Sequence, residues 1–475
     1  MNDERETSLP KRRGDPIPVS RSWEEEAGPG GTWTIYDFGA TYPLGEIRGD
    51  TDGRPLRQAE ISLDGRAWTP FSAPKPDESR RPESVPHARY VRTQGKAAAF
   101  LAGTGLAAEP DEEWTRLFHR KRGWTGSDGI YSIPLNGVEA PGRAAQTRTL
   151  FLFGDTFIGT VDERTDERID TVMINNTLAL LEGGRPDPEA IAFLWNREGE
   201  LPASAIVPRT PAGLAHEGAY YWLQDGTSVG GKLHCFPLII GPNPDGPEGF
   251  QFAVHGVVRV SAPLNEDGPV LARQEQADTD LYFRSAAGHT TYFGAAVLPN
   301  TAEAGVPDPD GFVYIYGLQN DGVAKLVVAR VPAEELERTE KWTFWDGSGW
   351  TARKETCAPI ASGVSAELSV SPVNGGFLDC KYVLVIQQGG VSGNRVAVSA
   401  ADSPVGPFSP YLPLHACTEP EEGHGIYSYN AKAHPHLSHP GELLASYNVN
   451  TTSMDAHMAL GGIYRPRFIR IRQII

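Results

Sequence analysis

The stretch Thr149-Leu-Phe-Leu-Phe-Gly-Asp-Thr-Phe-Ile158 decides the fold, read with its neighbours Gly129-Ile-Tyr-Ser-Ile-Pro-Leu135, Val172-Met-Ile-Asn-Asn-Thr-Leu-Ala-Leu-Leu181 and Ala190-Ile-Ala-Phe-Leu-Trp195. Each piece is short, rich in aromatic and branched residues, and bounded by Gly, Asn, Asp or Pro, which reads as a strand between turns. Comparable groups follow at Ala219–Leu223, Lys232–Ile240 and Phe250–Val260; at Thr291–Leu298, Gly311–Leu318, Ala324–Val331 and Trp342–Trp345; at Ala366–Pro372, Lys381–Gln387, Arg395–Ala400 and Phe408–Tyr411; and at Tyr427–Leu437, Glu442–Asn448 and Tyr464–Ile471. No long stretch has helical periodicity, and the best helix candidate is the short Pro332–Arg338, acidic at its start. Five groups of three or four strands fit radial repetition of small sheets better than one two-layer core. The fold class is therefore all-β, a five-bladed β-propeller over residues 112–472, with two consecutive sandwiches as the alternative.

Upstream, residues 1–30 are polar and rich in Glu, Arg, Pro and Gly, the composition of a flexible arm. Residues 31–102 carry short strand runs, at Trp33–Phe38, Ala59–Leu63 and Ala88–Arg92, with a turn at Asp64-Gly65. The order of Asp37-Phe-Gly-Ala40, Ser62-Leu-Asp-Gly-Arg-Ala-Trp68 and Ala88-Arg-Tyr-Val-Arg92 resembles a discoidin-type β-sandwich, at about half the usual length. Gly103–Asp111 reads as the boundary between this small module and the propeller.

With 43 basic and 60 acidic residues the net charge is -17, which argues against nucleic acid or an anionic membrane surface as partner. Apolar runs such as Phe236–Ile240 fall far short of the ~20 residues of a spanning helix. No apolar segment follows the charged N-terminus, so the expected location is the cytoplasm, or outside the cell if a signal has been removed. Cys235, Cys357, Cys380 and Cys417 form no Cys-x-x-Cys pair and read as buried thiols, with a Cys357–Cys380 disulfide as the alternative in an exported protein. Neither a phosphate-binding glycine loop nor a Gly-x-Ser-x-Gly elbow is present. No feature specifies an oligomeric state.

In a propeller the innermost strands line a central funnel, so polar residues at their starts are the first candidates for chemistry. Asp128 precedes an apolar strand beside two glycines, and Asp155 closes the next apolar run. A lone Asp-Gly is most often a turn; two acids at neighbouring strand ends point to a site. Glu367 opens the inner strand of the fourth group, and Glu217 sits comparably in the second. His434, Arg395, Tyr427, Asn430 and Lys432 are further funnel candidates. Trp124, Tyr131, Tyr220 and Trp222 could stack on sugars, although strand aromatics are more often core. His434, His436 and His439 do not have the spacing of a transition-metal site, so no metal is assigned.

Ser127–Leu135 together with Leu152–Gly159 and Met173–Ala179, and later Ser403–Phe408, Asn430–Leu437 and Glu442–Asn448, resemble a bacterial group of propellers catalogued as domains of unknown function. These are similar to the five-bladed arabinanase, xylosidase and invertase superfamily, which includes endo-D-arabinanases. The resemblance implies a carbohydrate substrate, hydrolysis of a furanoside-containing, arabinan-like glycan, no cofactor, room for a structural calcium in the channel, and a channel histidine in the last blade at His434. Glycosidases use one protonated and one ionised carboxyl group. The expected roles are Asp128 as general base, Glu367 as general acid and Asp155 as supporting carboxylate, with Glu217 the rival acid. Blades on opposite sides of a channel favour the wide separation of an inverting enzyme. A carbohydrate-binding propeller without catalysis is the alternative.

Overall fold

The computed structural model describes residues 9–26, 31–49, 56, 58–74, 85–246, 251–373 and 380–475. It is all-β and propeller-like; its described residues form five antiparallel sheets of four or more strands and a separate two-stranded pair, Asn196–Glu198 with Leu201–Ala203. The inner strands of the five sheets are Arg122–Pro134, Gly226–Val229, Thr290–Asn300, Leu368–Pro372 and Ile426–Ala433. Each of these strands neighbours the next, and the fifth neighbours the first.

The decisive stretch shows why apolar residues run without a break. Leu150 and Leu152 enter one core, shared with Tyr221, Leu233 and Val260 of the second sheet, while Phe151 and Phe153 enter another, shared with Leu444 and Phe468 of the fifth. Alternate side chains of a strand point to opposite faces, so a sheet buried on both faces reads as a continuous apolar run. The same split recurs in the fourth sheet, where Val383 and Val385 face the fifth sheet and Leu384 and Ile386 face the third. Trp124 belongs to the core between the first and fifth sheets: it is fully buried and packs on Phe153 and Phe193. Its expected role as a sugar platform is thereby replaced by a packing role.

Several boundaries differ from the sequence reading. Gly105–Pro110 is no linker: it is a strand paired along Ile469–Ile474, so it completes the fifth sheet from the N-terminal side. Polar Gly226–Val229 is the innermost strand of the second sheet, and its Thr-Ser composition hid it. Pro332–Arg338 holds a 3-10 turn at Ala333–Glu335 and no α-helix. The described α-helices are α1, Glu112–Leu117, capped by Asp111 accepting from the Trp114 amide, and α2, Met454–Ala459, capped by Ser453. Among the described residues no helix is long and apolar enough to cross a membrane. All four cysteines are thiols, so Cys357 and Cys380 are not joined.

The N-terminal module is built on the bent strand Thr32–Gly49, which pairs with Arg21–Glu26, His87–Thr93 and Ala97–Ala102. Part of the segment expected as a flexible arm is therefore a sheet edge, and Ile17 is buried. Thr41 pairs with Ala108, and Ala107 and Ile474 lie in the module's core beside Tyr36, Phe38 and Phe100. The module and the fifth sheet thus share one continuous sheet.

Candidate active site

Asp128 lies in the inner strand of the first sheet, where pairing slips between Trp124 and Gly126, between Ser127 and Gly129, and again between Gly129 and Tyr131. Such bulges re-aim a side chain. Gly129 (φ 81°) and Ile130 (φ 68°) take left-handed conformations here. Gly154 on the next strand lies against the Asp128 carboxylate, with no room for a Cβ. The Tyr429 hydroxyl donates to Asp128 Oδ2 at 2.8 Å and itself accepts from Asn450 Nδ2 at 3.0 Å. The Tyr464 side chain also faces Asp128.

Asp155 follows on the neighbouring strand, and Ser127 Oγ donates to its carbonyl at 2.8 Å. Asn175 Nδ2 donates to Asp155 Oδ1 at 3.3 Å, and the side chain of Trp222 also faces it. Trp222 meets Tyr220 and Phe252 edge-on, so the second sheet contributes an aromatic wall.

Glu367 enters from the fourth sheet just before Leu368–Pro372, and Ser365 Oγ donates to its carbonyl at 2.5 Å. Asn430 Nδ2 donates to Glu367 Oε1 at 2.9 Å, and the Lys432 ammonium pairs with the other carboxylate oxygen. Both come from the fifth sheet's inner strand, where pairing slips between Tyr429 and Lys432 and Asn430 sits at φ 60°. Together with Ile130 and Tyr464 (φ 59°), this puts three strained non-glycine residues around the carboxyl cluster. Each costs of order 1–3 kcal/mol, held by the surrounding bonds.

Asp128, Asp155 and Glu367 therefore converge from two sheets on one funnel. Burial, and then the neighbouring Asp155 and Glu367 carboxylates, push Asp128 up to about 8. Burial raises Asp155 to about 6, opposed by Trp222 and Asn175. Beneath them a small axial cavity of 30 Å³ is lined by Tyr131, Glu139, Asp225 and Lys432, among others. Both Asp225 oxygens accept backbone amides there, from Gly226 and Val297, each at 2.8 Å.

The structure brings together Asp128, Asp155, Glu367, Asn430 and Lys432, with Tyr427 beside Tyr429 at 5.2 Å between ring centroids. It does not bring His434, Arg395, Glu217 or Trp124 into the cluster. His434 is fully buried between Ser132 Oγ (2.7 Å) and Ser446 Oγ (2.8 Å), and burial drives its basicity well down, so it is a core imidazole. Arg395 pairs with Asp64 of the N-terminal module at 3.1 Å. Glu217 lies on an exposed turn between strands. Tyr429, Tyr464, Asn175 and Asp225 were missed; of these only Asp225 carried a legible signal, an Asp-Gly step like that of Asp128. Among the described residues no group of three or more His, Cys, Asp or Glu side chains is arranged to hold a metal ion.

Residues 111–474 match the family described as "Domain of unknown function (DUF5005)". The chain belongs to the DUF5005 family. No curated protein matches it. Among solved structures, this DUF5005 chain is similar to a "putative hydrolase" from Bacteroides ovatus, at 20% identity and TM-score 0.58, over 77% of this chain and 90% of that one. A GH43_1 enzyme from Xanthomonas citri aligns at 14% identity and TM-score 0.37, over 76% and 92%. The likeness to the Bacteroides ovatus structure shows a shared fold.

Proposed function

We propose that this DUF5005 chain is a glycoside hydrolase on a closed five-bladed β-propeller, cleaving a furanoside-containing, arabinan-like glycan by an inverting two-carboxylate mechanism without a cofactor. The observation that carries this reading is the convergence of Asp128, Asp155 and Glu367, set in distinct surroundings: a phenol on Asp128, an ammonium and an amide on Glu367. Pairs of carboxyls whose surroundings differ are what acid and base assignments require. In such a reaction one carboxyl protonates the departing glycosidic oxygen while the other takes a proton from the attacking water. Asp155 orients the sugar or adds negative charge beside its partner. Trp222 and Tyr220 offer an apolar wall for the ring.

The test is incubation of the purified chain with arabinan, xylan, galactan and fructan, with NMR detection of the first-formed anomer. Arabinan hydrolysis with inverted configuration, abolished in Asp128→Asn and Glu367→Gln, is expected. A retained configuration would refute inversion. Binding of a glycan without any cleavage would make the funnel a carbohydrate-binding site instead.

A further inference from the structure

Lys432 is the most enclosed charge of the funnel, with its side chain 1% exposed against 24% for Glu367. Its ammonium donates to the Gly129 carbonyl at 2.7 Å, to Glu367, and lies 4.2 Å from the centre of the Tyr131 ring. An ammonium has three protons and no lone pair, and a carbonyl, a carboxylate and a ring face use all three directions. Nothing is left to grip a sugar hydroxyl. The expectation that Lys432 binds substrate therefore gives way to another role.

The same ammonium fixes the residue after Asp128 and the carboxylate of Glu367, so it ties together the backbone of one acid and the head of the other. Facing Glu367 are Asp128, Tyr131 and Tyr292 besides Asn430 and Lys432. Facing Lys432 from below is Asp225, which has Glu139 beside it. The hydrogen-bond donor on the Asp128 carboxyl, by contrast, is the Tyr429 phenol, with two further carboxyl groups close by.

We propose that Lys432 is a positioning residue that holds Glu367 as the ionised carboxylate, making Glu367 the general base and Asp128 the general acid. This reverses the roles expected from the sequence and rests on the glycosidase reading. The Asp128 proton passes to the glycosidic oxygen as the bond from that oxygen to the anomeric carbon breaks. Water adds its oxygen to that carbon and gives a proton to Glu367, and exchange with solvent restores both groups. The raised proton affinity of Asp128, caused by burial and by Asp155 and Glu367, agrees with the assignment.

The experiment is isotope-edited infrared spectroscopy of the Asp- and Glu-labelled full chain at pH 6.5, alongside kinetics on whichever glycan it cleaves. A protonated-carboxyl band that disappears in Asp128→Asn and persists in Glu367→Gln is expected. Lys432→Met should add one further band to those of wild type, removed by adding Glu367→Gln, because a partly buried carboxylate stripped of its counterion takes up a proton. In kinetics, Lys432→Met should lower kcat by about 100-fold or more at nearly unchanged KM, and Lys432→Arg should restore part of it. A wild-type band belonging to Glu367 overturns the proposal, and needs no Lys432 variant to fold. The expected bands with no glycan cleaved would sink the glycosidase reading and, with it, the acid and base roles. Cleavage with the bands reversed would sink only the present assignment.

Discussion

The same dipeptide, Asp-Gly, occurs in the turn of the N-terminal module (Asp64-Gly65) and in the funnel (Asp128-Gly129 and Asp225-Gly226), with opposite outcomes. Burial would raise Asp64, but the amides of Ala67 and Arg66, the Ser62 hydroxyl and the Arg395 guanidinium overcome it and take the carboxyl down to about 2. Burial wins at Asp128 and Asp225, which rise to about 8 and about 7. In the funnel the donors are too few, or the neighbouring carboxylates too close, to repay the desolvation. A carboxyl group is thus made reactive by what is withheld from it, and the local sequence does not record that.

The sharpest way to break this contrast is substitution at the three aspartates. Asp128→Asn should lower kcat on a cleaved glycan by about 10²- to 10⁴-fold, the usual contribution of a general acid or base. Asp64→Asn should leave kcat unchanged. Near-full turnover in a folded Asp128→Asn protein would remove Asp128 from the chemistry.

Asp225 provides the intermediate case. Its two oxygens are both occupied by backbone amides, so replacing one by NH₂ sets donor against donor. Asp225→Asn should lose about 1–3 kcal/mol of stability by denaturant titration at pH 5, with kcat within tenfold of wild type. A larger loss of turnover than of stability would place Asp225 in the reacting site.

pH separates the two regions by sign. Carboxyls raised in the folded state stabilise it fully only below their ordinary value near 3.8, and that contribution fades as pH rises through about 7 for Asp225 and about 8 for Asp128. Asp64, lowered in the folded state, stabilises above its ordinary value, and the contribution is lost as pH falls through about 2. Thermal unfolding of wild type should therefore show Tm falling between pH 5 and pH 8.5, with a shallower fall in Asp128→Asn. Equal slopes in the two proteins would show that Asp128 is not held protonated.

Much of this was legible in the sequence. Unbroken apolar strands such as Leu150–Phe153 arise because the sheet is covered on both faces, so the all-β class could be read from local runs and turns. Asp128, Asp155, Glu367, Asn430 and Lys432, singled out as polar residues beside apolar runs, come together in the structure. What escaped depends on contacts far apart in the chain. Trp124 lies on a strand and His434 directly follows one, as funnel candidates do, yet both side chains are buried in the core. Strand Gly105–Pro110 pairs with residues some 360 positions later, which no local pattern announces. Arg395 is claimed by a turn in the other module.

That last pairing carries the smallest effect and tests whether the module is held by more than its shared sheet. The Arg395 side chain is 33% exposed and that of Asp64 11%, so water screens the ion pair only in part. Partly exposed pairs contribute up to about 1 kcal/mol. Asp64 also has Ser62 and the Arg66 and Ala67 amides, which organise its turn whether or not Arg395 is present. Arg395→Ala should therefore cost about 1 kcal/mol or less, while Asp64→Ala, which also strips the turn of its acceptor, should cost more. In the double variant the loss should match Asp64→Ala alone to within a few tenths of a kcal/mol, since Arg395 has nothing further to lose. Both variants should cleave as wild type does, because neither residue reaches the funnel. A drop in kcat with Arg395→Ala would mean that the module's turn and the carboxyl cluster are coupled through the fourth sheet.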